Sequence, residues 1–157
     1  MRITLDPAQH NVDGGYWSYL GTTILASWLR GEPTMCLEGF SLSTPDSEYS
    51  RVVCHETGHT MGFPHEHMRQ EIIKKLDHDK TIEYFQRVYN WTPQETIQQV
   101  LTPLDPATLE ATRVGDENSI MCYQLSGECT VDGQPIAGGT KIDLIDQHFV
   151  SAIYPKH

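Results

Sequence analysis

The pattern of hydrophobic and polar positions begins with short extended segments. Residues 3–5 and 15–20 are apolar or aromatic enough for strands, and turn-forming residues separate them. After a break at Gly31–Pro33, residues 34–42 form a third extended stretch with intermittent apolar positions. The pattern therefore predicts three strands before the first clear helix.

Signals for helix starts and stops then predict a helix over about residues 45–61. Thr44 is a suitable N-cap, and the acidic Asp46 and Glu48 lie near the positive end of the helix dipole. Gly62 suits the exit because glycine adopts the backbone conformations that end helices. This helix contains most of the candidate chemistry of the chain.

The second half of the chain predicts further helices separated by irregular segments. Residues 81–90 are periodically apolar, and Thr92–Glu95 is a capping-box start for a helix to about Leu101. A short helix is expected after Asp105–Pro106. Residues 127–140 are rich in turn formers and should be irregular, and the apolar periodicity of residues 143–154 predicts a final helix. The elements together predict an α+β fold.

Length, composition and charge narrow the classes of function. The chain has 157 residues, enough for one domain with a hydrophobic core, and its composition is typical of a globular protein. Its formal net charge of -10, with no cluster of Lys and Arg, argues against nucleic acid as a partner. No apolar run approaches the roughly 18 residues that cross a bilayer, so we expect no membrane association and see no signal peptide.

The stretch His55–His65 matches the pattern H-E-x-x-H-x-x-G-x-x-H throughout. On a helix, His55 and His59 lie four residues apart on one face, where both imidazoles can reach one metal ion. His65 can join them only if the chain turns at Gly62. Three neutral imidazoles leave an open position on Zn²⁺, which distinguishes a catalytic site from a closed structural one.

Glu56 follows the first of these histidines and is placed to accept a proton from a water whose pKa the metal lowers. The motif therefore predicts hydrolytic chemistry with one catalytic Zn²⁺. Accidental occurrence of three histidines and a glutamate at this spacing is the competing explanation, and the glycine and the helix signals argue against it.

These residues resemble the metzincin clan of zinc endopeptidases, and the continuation Glu66–Arg69 is similar to its astacin family. Residues 119–123 resemble the methionine turn of that family, which implies that Met121 lies beneath the metal. The resemblance also implies that Tyr123 binds the resting zinc and then stabilises the oxyanion. Simple packing is the other role considered for Tyr123.

The resemblance extends to Tyr16–Gly21 and to Asp146–Pro155, and it places the family's substrate-pairing edge strand at Thr34–Leu42. It implies a single zincin-like domain, with an upper part of about residues 1–65, a lower part of 66–157 and the zinc in a cleft between them. A protein or peptide substrate would lie extended along that edge. Secretion is a further expectation from the family, and we also expect a monomer.

The expected function is therefore a zinc metalloendopeptidase with His55, His59, His65 and Tyr123 as metal ligands and Glu56 as the general base and acid. Two alternatives are a non-catalytic zinc-containing module that binds peptides and a zinc hydrolase acting on other substrates. Retention of Glu56 argues against the first.

Some features depart from the astacin pattern. The family's first strand and long helix have no counterpart before Ile3, and Cys122 replaces a histidine that is not a ligand in the family. A free thiol at Cys122 would compete for metal. The Glu66 side chain either contacts a mature N-terminus, as in the family, or forms a buried ion pair with Arg69.

The remaining cysteines and histidines give weaker signals. A local disulfide between Cys122 and Cys129 is credible, with Cys36 and Cys54 as the other pair, and four buried thiols are the alternative. We expect five other histidines to lie at the surface or in the core without binding metal: His10, His67, His78, His148 and His157.

Overall fold

The computed structural model of the protein describes residues 1–112 and 114–156, so His157 lies outside the described residues. The chain forms two compact units, Met1–Pro64 and His65–His157. No helix in the described part of the chain is long and apolar enough to cross a membrane.

A three-stranded sheet forms in the first unit. Its strands are β1 (Ile3–Thr4), β2 (Tyr16–Ser18) and β3 (Met35–Leu37). The strand order is β1-β3-β2, with β1 parallel and β2 antiparallel to β3. The prediction that Thr34–Leu42 supplies a free edge is wrong, because β3 is paired on both sides and the edges of the described sheet are β1 and β2.

Helix α1 (Asp46–Thr60) follows the sheet, and acidic residues occupy its first turn as predicted. The N-cap is Pro45 and makes no side-chain cap hydrogen bond, so the predicted cap by Thr44 is wrong. The Thr44 hydroxyl instead accepts a hydrogen bond from the Ser41 amide at 3.0 Å. Val52 of α1 packs with strand residues and Phe40 in the apolar core of this unit.

Helices and irregular segments make up the second unit. Its α-helices are α2 (Gln70–Ile73), α3 (His78–Tyr89), α4 (Pro93–Thr96) and α5 (Leu144–Ile153), and a π-helical turn Ile97–Leu101 extends α4. Short 3₁₀ segments include Glu66–Met68, Pro106–Thr108 and Gly127–Cys129. The α+β class predicted from the sequence is confirmed.

Local capping explains where the helices of the second unit begin. The capping box between Thr92 and Glu95 is present as predicted, and Asp77 caps α3 through the Lys80 amide. Asp143 and Asp146 form a second capping box at the start of α5. The core packs around residues such as Ile72, Phe85, Val100, Leu125 and Ile136.

All four cysteines are free thiols, with Cys36, Cys122 and Cys129 buried and Cys54 half-buried. The disulfides Cys122–Cys129 and Cys36–Cys54 are therefore not formed, and the alternative of four thiols describes the structure. Burial raises the pKa of the Cys122 thiol to about 12, and the carboxylates of Glu66, Glu117 and Asp116 contribute to this rise. The protonated form is thus favoured, which weakens Cys122 as a competitor for metal.

Candidate metal centre and catalytic residues

Helix α1 presents two histidines from consecutive turns of one face. The ring centroids of His55 and His59 lie 4.7 Å apart with the ring planes nearly perpendicular. Each residue is only 8% exposed. Burial and the neighbouring His55 lower the pKa of His59 to about 4, so His59 is neutral at pH 7, as metal binding requires.

The turn after α1 orients His59. Gly62 adopts a φ of +99°, which favours glycine, and its amide donates to the His59 carbonyl at 2.8 Å. The His59 Nδ1 lies 2.8 Å from the Phe63 carbonyl oxygen, which can only accept a hydrogen bond. Nδ1 therefore carries the proton, and the lone pair of this imidazole is on Nε2, the atom suited to a metal.

His55, His59 and His65 form a group that could hold a metal ion. One possible ligand atom from each residue lies within 4.8 Å of the others, with His65 half-buried. Three imidazoles are a donor set suited to zinc, so the residues present fit the ion that the motif predicts. Of the other histidines in the described residues, His10, His78 and His148 are exposed, and none joins a metal-binding group.

Glu56 is a buried carboxylic acid with incomplete hydrogen bonding. The residue is 4% exposed, and its Oε2 atom is buried without a hydrogen-bond partner. Burial raises the pKa of Glu56 to about 7, although the positive charge of Arg51 opposes the rise. A carboxyl group with a pKa near neutrality can both accept and donate a proton at physiological pH.

Tyr123 packs against two histidines of the second unit. Its ring centroid lies 4.3 Å from that of His65 and 4.2 Å from that of His67, on which the ring is stacked. His67 is fully buried, and its Nε2 lies 3.1 Å from the Gln99 carbonyl oxygen. The structure thus places the tyrosine beside one of the predicted metal ligands.

Hydrogen bonds fix the turn that contains Met121. The Met121 carbonyl accepts from the Glu66 amide at 2.9 Å, and the Met121 amide donates to the Ser119 hydroxyl at 3.0 Å. That hydroxyl donates to Asp146 of α5 at 2.7 Å, and Asp146 also accepts from the Ile120 amide at 3.0 Å. Sequence reasoning missed Asp146, for which the Asp143–Asp146 capping pattern was the only local signal.

Glu66 and Arg69 form an ion pair at 3.2 Å, with side chains 21% and 11% exposed. Glu66 also accepts from the Asp116 amide at 2.9 Å, and Arg69 donates to the Thr112 hydroxyl and carbonyl. Of the two roles considered for Glu66, the structure has the ion pair with Arg69.

Replacing Arg69 with Ala is expected to lower the free energy of unfolding by about 3 kcal/mol, because it leaves the Glu66 carboxylate mostly buried without its cation. Urea unfolding of the protein measures this loss. Arg51→Ala is the matched control, since the Arg51–Glu48 pair is about one-third exposed and should contribute less than about 1 kcal/mol. Equal losses in the two variants would contradict a structural role specific to Arg69.

Comparisons with known proteins identify the fold. No protein-family model matches the chain, and a search of curated proteins gives no match either. A structure of myroilysin matches with a TM-score of 0.84 and 30% sequence identity, over 91% of this chain and 69% of that one. A second structure, a crystal structure of myroilysin, matches with a TM-score of 0.56 and 28% identity, over 91% of this chain and 62% of that one.

The first of these matches has 30% sequence identity over most of both chains, so the similarity extends well beyond the three-histidine motif. Myroilysin is a zincin-like metalloprotease. The chain therefore has a zincin-like metalloprotease fold and belongs to the myroilysin family.

Proposed function

We propose that the chain is a zinc-dependent metalloendopeptidase of the astacin type that hydrolyses peptide bonds of proteins. The observation that carries the proposal is the three-histidine group with the buried Glu56 directly after His55. The metalloprotease fold of its family supports the same conclusion.

His55, His59 and His65 would hold the zinc ion, which when bound lowers the pKa of water and polarises a peptide carbonyl. Glu56 takes the proton from the attacking water and later donates it to the leaving amine. Burial raises the pKa of Glu56 towards the range in which a carboxyl group can act first as a base and then as an acid. Tyr123 donates a hydrogen bond from its hydroxyl group to the oxygen on which negative charge develops.

The substrate in this proposal is an extended peptide that adds to a free edge of the sheet by main-chain hydrogen bonds. The described sheet offers such edges at β1 and β2. Secretion, which is expected from the astacin resemblance, and a monomeric state belong to the same proposal.

A non-catalytic peptide-binding module and a hydrolase of other substrates are the two rivals. The three functions can be distinguished by incubating the zinc-loaded protein with a peptide and with an ester of the same sequence. Both substrates are blocked at their termini. We expect hydrolysis of the blocked peptide, which only an endopeptidase can cleave internally. Binding of the peptide without cleavage would favour the module, and cleavage of the ester alone would favour the other hydrolase.

Replacing Tyr123 with Phe is expected to lower kcat by about a hundredfold with little change in KM, because the lost hydroxyl acts mainly in the transition state. Steady-state kinetics on a blocked peptide measure the change, and bound zinc should remain stoichiometric. Tyr89→Phe is the control, since Tyr89 is 54% exposed. If Tyr123→Phe lowers only the melting temperature and leaves kcat intact, the tyrosine has a packing role instead.

A further inference from the structure

Three aspartates of the second unit form a group that shares no residue with the three-histidine group. One carboxylate oxygen each from Asp116, Asp143 and Asp146 lies within 4.8 Å of the others. Asp116 is buried, with only 8% of its surface exposed, and the other two are half-buried. Asp143 and Asp146 lie at the start of α5, and Asp116 comes from the loop before the methionine turn.

Only some of the carboxylate oxygens of this cluster accept hydrogen bonds. Both oxygens of Asp146 are engaged, by Ser119, by the Ile120 amide and by the Asp143 amide at 3.1 Å. One oxygen of Asp143 accepts from the Asp146 amide at 2.8 Å, and Oδ1 of Asp116 accepts from the Asn118 amide at 2.9 Å. Oδ2 of Asp116 is buried and has no hydrogen-bond partner.

The charge of the cluster is not balanced by an ion pair among the described residues. Among the described residues, no Lys or Arg forms an ion pair with any of the three aspartates. Burial raises the pKa of Asp116, and the charge and close approach of the Asp143 carboxyl and the charge of Asp146 contribute to the rise. Three carboxylates at this spacing therefore need either a shared proton or a cation to lower their mutual repulsion.

We infer that Asp116, Asp143 and Asp146 bind a Ca²⁺ ion at the start of α5. Carboxylates are hard oxygen ligands of the type that Ca²⁺ prefers, and the buried Asp116 Oδ2 accepts no hydrogen bond from an amide or a hydroxyl. Calcium tolerates irregular arrangements of six to eight oxygens, so ligands from a loop and a helix start suit it better than the strict octahedron of Mg²⁺. Waters and backbone carbonyls complete its coordination.

The bound calcium would connect the start of α5 with the loop that carries Asp116. Since Asp146 also holds Ser119 and Ile120 through hydrogen bonds, the ion would stabilise the turn that contains Met121. Calcium therefore acts in this site as a structural ion. Its oxygen ligands differ from the imidazole ligands that suit zinc.

Isothermal titration of the zinc-loaded protein with CaCl₂ tests the inference directly. We expect one calcium bound per chain, and a higher melting temperature in calcium than without it. Asp116→Asn and Asp143→Asn should each weaken calcium binding at least tenfold and remove the shift in melting temperature. Asparagine caps helices as well as aspartate does, so Asp143→Asn should preserve the start of α5. This variant therefore still tests the site if Asp116→Asn does not fold.

Asp79→Asn is the matched control, because the Asp79 side chain is 93% exposed and lies outside the cluster. It should bind calcium like the unaltered protein. Absence of calcium uptake at millimolar concentrations would overturn the site, as would uptake unchanged in both cluster variants. Equal or tighter binding of Mg²⁺ would overturn the assignment to calcium.

Discussion

Replacing Glu56 with Gln is expected to lower kcat/KM for a blocked peptide by about a thousandfold while one zinc per chain remains bound. Glutamine keeps the size of the side chain but cannot accept the proton of the attacking water, and general acid–base groups contribute about a hundred- to ten-thousandfold. Parallel measurements of steady-state kinetics and of zinc content separate a loss of chemistry from a loss of metal.

Glu48→Gln is the control for this prediction, since Glu48 lies in the first turn of the same helix and is partly exposed. Its kcat/KM should stay within about twofold of the unaltered value. Activity retained in Glu56→Gln with full zinc content would show that another group handles the proton.

Replacing His59 with Ala is expected to reduce bound zinc to well below one per chain and to abolish peptide cleavage. The variant loses an imidazole of the three-histidine group and the hydrogen bond to the Phe63 carbonyl. Zinc should raise the melting temperature of the unaltered protein, because a ligand that binds only the folded state stabilises it, and should leave that of His59→Ala unchanged.

His78→Ala serves as the control for metal binding, since the His78 side chain is 59% exposed and does not belong to the three-histidine group. It should bind zinc and respond to it like the unaltered protein. Zinc bound at the original affinity by His59→Ala would contradict the proposed ligand set.

Local signals in the sequence predicted the elements that depend on neighbouring residues. The acidic first turn and the glycine exit of α1 and the capping box at Thr92–Glu95 require no knowledge of distant contacts, and both elements are present. The histidine spacing likewise predicted the three-histidine group, because helix geometry and one glycine determine where His55, His59 and His65 can meet.

Features that depend on tertiary pairing could not be predicted in this way. The central position of β3 results from pairing with two strands from different parts of the chain, which hydrophobic pattern alone does not specify. The four thiols had several possible pairings, and only spatial positions could decide among them. The contacts of Asp146 with Ser119 and Ile120 span more than twenty residues and left no sequence signal of their own.

Endopeptidase activity is tested most directly by incubating an unstructured protein with the zinc-loaded chain and mapping the cut sites by mass spectrometry. We expect internal cuts that disappear when zinc is removed and return when zinc is restored. Stoichiometric zinc binding without any cut would contradict the assignment of this chain as an endopeptidase.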